Sequence, residues 1–315
     1  MDLVPLHEVT SRALRPLLRE ESEHWGGELL WDFAEVTAAV ENGLDRRALH
    51  GCVAREGARF VGYCYYMVDG GRAIVGSLYA AEGYRGRGLE EVLLDAVIAD
   101  AQARTGHERV ECQTLFSTAP GADHRFARAG FASTRRHYLV RRLGPLPVPS
   151  PNGFRLRTVQ RDDLKAVSDL IHRSHEGSLD AALNLTYATP GLCRGFVDTL
   201  VLRSGCGRFS AEASLLAEGE EGPVGVILAS ELSRTNGHIC QVSVDPGCQS
   251  RGLGTLLLVN ALDAMRRHGL HTASLSVTVG NGRAYGLYMR LGFRVRKEFA
   301  AHAWVRPPAT IELPA

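Results

Sequence analysis

The hexapeptide Gln249-Ser250-Arg251-Gly252-Leu253-Gly254 stands between two runs of different period. Before it, residues 237–244 (GHICQVSV) are apolar and β-branched enough for a central strand, which Asp245-Pro246 must stop. After it, Leu253, Leu257, Ala261, Ala264 and Met265 recur at helical spacing until Gly269 ends the run. A helix whose first amides point out of a glycine turn is an anion site, because unpaired N–H groups and the helix dipole converge on one spot. A pyrophosphate suits such a place, and a Cβ at Gly252 or Gly254 would hold it away from the backbone donors. The dinucleotide pattern GxGxxG is not met and no Walker lysine follows. A tight strand-to-helix turn without a ligand is the alternative reading of the hexapeptide alone.

Other reactive residues form weaker patterns. His172, His175 and Glu176 in IHRSHEGS have no HExxH spacing and no cysteine partner, so no metal is expected. The seven cysteines are never spaced as CxxC, which reads as free thiols, and Cys206 in SGCGRF and Cys248 beside the glycine turn have no evident base for nucleophilic work. Arg85 and Arg87 in YRGRG lack an aromatic stack, and Lys plus Arg (36) nearly cancels Asp plus Glu (35), so neither nucleic acid nor a membrane is expected as a partner. The N-terminal residues mix charges into their apolar positions, and a cytoplasmic protein is expected.

The elements that must position the hexapeptide occur twice. At 315 residues two domains are expected, and GPLPVPSPN (residues 144–152), with four prolines, reads as a linker between domains at 1–143 and 153–315. Each side has helical segments, strands, a glycine turn opening a helix, a strand, a short helix and a Gly-Phe. Arg87-Gly88-Leu89 matches Arg251-Gly252-Leu253 at an offset of 164, and Gly130-Phe131 matches Gly292-Phe293 at 162.

Residues 277–293 (VTVGNGRAYGLYMRLGF) complete the pattern, a strand running into a short helix. Here the chain resembles the GNAT superfamily of acyl-CoA-dependent N-acetyltransferases. Gln249 to Gly254 fit that family's (Q/R)xxGx(G/A) signature, and Asn281, Ala284, Leu287, Tyr288, Leu291, Gly292 and Phe293 fit NxxAxxLYxxLGF. The resemblance is strong in the second half and holds in outline in the first. It implies an α/β (α+β) fold of two tandem GNAT domains, each a mixed, mostly antiparallel sheet flanked by helices and split at its central strand. It also implies acetyl-CoA as acyl donor, with the pyrophosphate on the amides of Gln249, Ser250, Arg251, Gly252, Leu253 and Gly254. The pantetheine would pair with Val242, Ser243 and Val244 and meet Asn281.

An amine attacking a thioester needs a neutral amine, a donor for the developing oxyanion and a proton for the leaving thiolate. The resemblance gives the oxyanion to a backbone N–H at Val242 or its neighbour. Tyr288 matches the family's general acid, and a phenol with a pKa near 10 is protonated at neutral pH. His238 opens the central strand where several members carry a glutamate base, and is the expected base. Glu212, read on the preceding strand, and His302 compete with it. His175, Glu176 and Asp180 fall where members build the acceptor pocket.

In the first copy Glu90 replaces the last small residue of the hexapeptide, Ala119 stands for Asn281, Phe126 for Tyr288 and Ile74 for His238. A carboxylate at that helix start would compete for the amides and repel a pyrophosphate. The expectation is an acetyltransferase whose C-terminal domain moves an acetyl group from acetyl-CoA to a primary amine of a small molecule by direct attack, beside a degenerate N-terminal copy. A protein amine as acceptor, or a non-catalytic acyl-CoA sensor, are the alternatives.

Overall fold

In the computed structural model, residues 1–104, 106–150, 153–203, 205–220 and 222–307 are described. Pro151 and Asn152, the end of the expected linker, lie outside them, and residues 144–150 carry neither helix nor strand. Up to the glycine of the first Gly-Phe the chain forms β1 (Asp2–Pro5), α1 (Ser11–Leu29), α2 (Ala34–Asp45), β2 (His50–Glu56), β3 (Arg59–Asp69), β4 (Arg72–Ala80), α3 (Leu89–Ala103), β5 (Arg109–Gln113) and α4 (Ala122–Arg128). There follow β6 (Ala132–Arg142), β7 (Arg155–Thr158), α5 (Leu164–His175), α6 (Leu179–Leu183), α7 (Pro190–Leu202), β8 (Arg208–Phe209), β9 (Leu215–Gly219) and β10 (Gly222–Glu231). The chain continues with β11 (Asn236–Val244), α8 (Leu253–Arg267), β12 (Thr272–Thr278), α9 (Gly282–Arg290) and β13 (Arg294–Val305).

Two compact units result, and they do not follow the expected boundary. Unit 1 comprises residues 1–25, 33–134 and 299 onward, and unit 2 comprises 26–32 and 135–298. Apolar alternation marks β6 and β13 as strands but says nothing of their partners, so the sequence reading kept each with its own half.

In unit 1 the strand order is β1-β2-β3-β4-β5-β13, with β4 and β5 parallel and the other pairs antiparallel. Residues 301–305 of β13 pair with β5. Leu89, Leu93, Leu94 and Val97 of α3 pack into its core with Val61, Val75 and Val110.

Unit 2 has the order β6-β12-β11-β10-β9-β7, again with a single parallel pair, β11 with β12. Helices α5 and α7 cover one face with Val226 and Leu228, while α8 and α9 cover the other with Ala217, Ile227 and Ile239. No described helix is long and apolar enough to cross a membrane.

Helix α8 is seated by its own composition. Leu253, Leu256, Leu257, Leu258, Val259 and Leu262 are among its buried residues, and each aliphatic side chain removed from water contributes about 1.5–3 kcal/mol. A Cβ on Gly225 of β10 would stand 3.0 Å from Leu253 and 3.1 Å from Leu257, so the glycine lets the helix lie directly on the sheet. The loop ahead of α8 therefore hangs from a rigid support. Leu257→Ala removes a fully buried side chain from this seat and is expected to cost about 2–5 kcal/mol, read as a lowered midpoint in urea.

Candidate active site

The site begins where two strands part. β11 pairs with β12 only from Asn236↔Thr272 to Ile239↔Leu275, whereas β12 continues along β6 to Thr278↔Arg136. On its other side β11 carries one extra residue, Cys240, between the pairs Ala229↔Ile239 and Leu228↔Gln241. Such a bulge bends its strand and resets which side chains point to which face. Beyond it Val242 and Val244 lie with the α8 core, while Gln241 reaches Tyr187 and His175 on the opposite face.

The opening is a cavity of about 610 Å³. Val242, Ser243 and Val244 form one wall, Asn281, Ala284, Leu287 and Tyr288 another, and Gln249, Ser250, Gly252, Leu253 and Gly254 the turn at its end. Ser174, His175, Ser178 and Asp180 also line it. Of the residues expected around an acyl donor, Arg251 alone is not in the lining, and its guanidinium lies over the Phe154 ring at 5.0 Å.

Of the amides expected under a pyrophosphate, that of Gln249 already donates to the Pro246 carbonyl at 3.5 Å, while those of Ser250 to Gly254 have no acceptor among the described residues. Asp245 accepts from the Gly247 N–H at 3.0 Å, and the Gln249 side-chain amide donates to the Val244 carbonyl at 3.2 Å, tying the turn to the strand end. Ser250 (φ 63°) and Gly252 (φ 83°) then turn the chain through left-handed conformations into α8. Gly252 is the N-cap, and no side chain caps the helix. A missing cap costs about 1 kcal/mol, a loss that the buried face of α8 outweighs several-fold. Arg283 adds a cation beside the turn, donating to Gln249 Oε1 at 2.5 Å and to Ser250 Oγ at 3.0 Å. Sequence reasoning missed Arg283 because it fills a variable position of the second signature.

Asn281, expected on the pantetheine, caps α9: its carboxamide oxygen accepts from the Ala284 N–H at 3.1 Å. Tyr288 is buried against Phe293, with ring centroids 5.9 Å apart, and its hydroxyl has no hydrogen-bond partner among the described residues. Burial, reinforced by the Asp180 carboxylate, pushes its pKa up to about 12. Asp180 in turn accepts from the Thr278 hydroxyl at 2.5 Å.

His238, expected as the base, is enclosed instead. Nδ1 lies 2.9 Å from Ser274 Oγ, and the ring stacks near Tyr138 and Trp31 at centroid distances of 6.1 and 6.3 Å. Burial and the nearby Arg136 guanidinium push it down to about 4, and it is not among the residues lining the cavity. It sits before the bulge, where β11 is still paired with β12. Glu212 stands in an exposed turn ahead of β9, 3.8 Å from His268, and not on a strand. His302 belongs to unit 1, stacked on Phe126 at 4.0 Å. Glu176 is exposed beside His172.

Unit 1 repeats the geometry and fills it. β4 pairs with β5 only as far as Val75↔Cys112, and its register with β3 shifts between Cys64 and Tyr66. Past that point the Thr118 N–H donates to the Leu78 carbonyl at 3.1 Å, and the Ala80 N–H donates to Thr118 Oγ1 at 3.2 Å. Leu78 and Ala80 are the counterparts of Val242 and Val244 at the offset of 164. At the turn, fully buried Glu90 accepts from the Gly86 N–H at 3.2 Å, taking the amide that corresponds to Ser250.

No atom within 4 Å obstructs a Cβ on Gly252, so Gly252→Ala isolates the cost of its backbone conformation. A loss of about 1–2 kcal/mol is expected by urea denaturation.

Residues 11–131 and 194–293 match the Acetyltransferase (GNAT) family. The mycothiol acetyltransferase of Thermobispora bispora is 31% identical over 241 residues, 69% of this chain and 72% of that protein. The mycothiol acetyltransferase of Acidimicrobium ferrooxidans is 37% identical over 118 residues, 36% of this chain and 38% of that protein. Among solved structures, a tandem GNAT protein from the clavulanic acid biosynthesis pathway superposes with a TM-score of 0.61 at 17% identity, covering 98% of this chain and 99% of that one. With its two matched regions, its split sheets and its duplicated glycine turn, the chain belongs to the GNAT family of acetyltransferases.

Proposed function

We propose that unit 2 transfers an acetyl group from acetyl-CoA to a primary amine of a small molecule, by direct attack of the amine on the thioester. One observation carries this reading: the open split beside β11, the uncapped turn before α8 and Tyr288 share one cavity. The residues present suit an acyl-CoA. Backbone beyond the bulge is free of β12 and faces the cavity wall, and the turn offers amides plus Arg283 to a diphosphate.

A backbone N–H near Val242 receives the developing oxyanion, a donor held in place by β10 and therefore needing little reorganisation. Tyr288 gives its proton to the departing sulfur. Burial keeps the Tyr288 phenol protonated at neutral pH, so a proton is in place for the departing sulfur. Between a phenol raised to about 12 and a thiol near 8.5 that transfer is uphill by itself, and the acidic nitrogen of the new amide, which returns a proton to the phenolate, draws it forward. The relatives' name, mycothiol acetyltransferase, favours a small-molecule acceptor over a protein. Unit 1 is a copy that has exchanged ligand contacts for its own: Thr118 stands in for the pantetheine strand and Glu90 for a phosphate.

Calorimetric titration of acetyl-CoA into the whole chain is expected to give one site, abolished by Gly254→Glu, which copies Glu90. Two sites, or a site insensitive to Gly254→Glu, count against the division of labour. Tyr288→Phe is expected to lower kcat by about tenfold to a thousandfold with acetyl-CoA affinity retained. The acid must be protonated, a condition met below its raised pKa, so the wild-type rate is expected to show no alkaline loss from this group through pH 10. A tyrosine-dependent fall near pH 9 in a pH–rate series contradicts the assignment.

A further inference from the structure

The cavity also holds an imidazole already arranged to receive a proton. His175 ends α5, and its Nδ1 lies 2.9 Å from the Ile171 carbonyl oxygen, which can only accept. That fixes the proton on Nδ1 and leaves a lone pair on Nε2. Nε2 in turn lies 3.4 Å from Gln241 Nε2, whose two N–H groups have the Ser243 Oγ at 3.0 Å and the Val242 carbonyl at 3.4 Å as acceptors, so the lone pair of the imidazole is not committed to the amide. The orientation of the Gln241 amide is set by its oxygen, which accepts from the Tyr187 hydroxyl at 3.1 Å. The Tyr187 ring stacks on the imidazole at 4.0 Å with an interplanar angle of 7°, fixing its plane. Tyr187 and Gln241 thus hold the ring from one side, and His175 keeps an acceptor nitrogen in the cavity that it lines with Tyr288.

Asp180 supplies the second half. It follows His175 across a short turn, lines the same cavity, and uses one carboxylate oxygen for Thr278. Around His175 stand Asp180 from α6, Tyr187 after it and Tyr288 from α9, with His172, Arg173 and Glu176 on or just beyond its own helix. Among these Asp180 is the carboxylate that lines the cavity.

Resting on the transfer proposed above, we infer that His175 is the catalytic base and Asp180 the residue that holds the acceptor, which is a small amine carried in as its ammonium ion. The ammonium gives one proton to His175 Nε2, and the freed lone pair forms the N–C bond. The C–S bond breaks, and the thiolate takes the phenolic proton of Tyr288. The new amide nitrogen sheds its second excess proton, which restores the phenol, and His175 releases its proton to solvent. The balance is one ammonium and one thioester giving one amide, one thiol and one proton. Burial lowers the pKa of His175 below the ordinary value near 6.5, so the neutral base is present above that lowered value and lost as pH falls through it.

The test uses the full chain and primary amines of two kinds: an amino sugar and a diamine, charged at pH 7, and an aniline, uncharged. His175→Gln is expected to lower kcat about a hundredfold, keep acetyl-CoA affinity, and replace the acid limb of the kcat profile by a rate that climbs with the amine's own deprotonation. Asp180→Asn is expected to raise KM for the charged amines about tenfold to a hundredfold while leaving the aniline within twofold. A His175→Gln enzyme that keeps the wild-type acid limb overturns the base. Equal losses for charged and uncharged amines with Asp180→Asn overturn the ammonium site, and that variant decides the matter if His175→Gln fails to fold. A wild-type chain that binds acetyl-CoA but acetylates no amine defeats the transferase reading itself, a result distinct from active wild type with unaffected variants.

Discussion

The site depends on an interruption in β-pairing. Cys240 adds one residue to β11, and at the same level β12 ceases to be its neighbour. Buried backbone without a partner costs about 1–3 kcal/mol per group, so a strand edge opened inside a unit must be compensated by something. In unit 2 the edge beside Val242 and Val244 borders a cavity, and side-chain amides of Gln241 and Gln249 reach the two carbonyls at 3.4 and 3.2 Å. The same interruption sends Gln241 toward His175 and leaves Tyr288 facing the gap from α9. Wall, turn and side chains are arranged by one misregistered residue.

Unit 1 answers the same demand differently. Its bulge, where Gly76 and Ser77 oppose Tyr65, its turn with Gly88 at φ 87°, and its fifteen-residue helix α3 match the bulge, turn and helix of unit 2, where Gly252 has φ 83° and α8 also has fifteen residues. What differs is what occupies the gap. Thr118 meets the open edge with two intramolecular hydrogen bonds and Glu90 meets the turn with one. The two copies have diverged in side chains and in one short segment while their frame has stayed constant.

Much of this was legible in the sequence, and the limits have physical causes. The glycine turn, both signatures and the strand-to-helix order were readable because they rest on local conformation: positive φ, helical spacing, a proline after aspartate. Glu90 was readable as an intruder because charge at a helix start has a local meaning. The bulge was not, since Cys240 looks like any strand residue until its partners on β10 are known. His238 looked like a base because strand position was visible and enclosure by Trp31, Tyr138 and Ser274 was not. Arg283 beside its turn, and Tyr187 and Gln241 around His175, are assembled from segments far apart in sequence, beyond the reach of any local pattern.

The composition of the units has a consequence for how the chain is made. Unit 1 contains the N-terminus yet takes the partner of β5 from residues 301–305. During synthesis the edge of β5 therefore waits, unpaired, for nearly two hundred further residues to emerge, while unit 2, which ends at residue 298, has all its strands before that last one is available. The domain begun first is the one finished last. A stop codon between residues 299 and 304 would thus injure the sheet of unit 1 and spare the strands around Tyr288, the reverse of what position along the gene suggests.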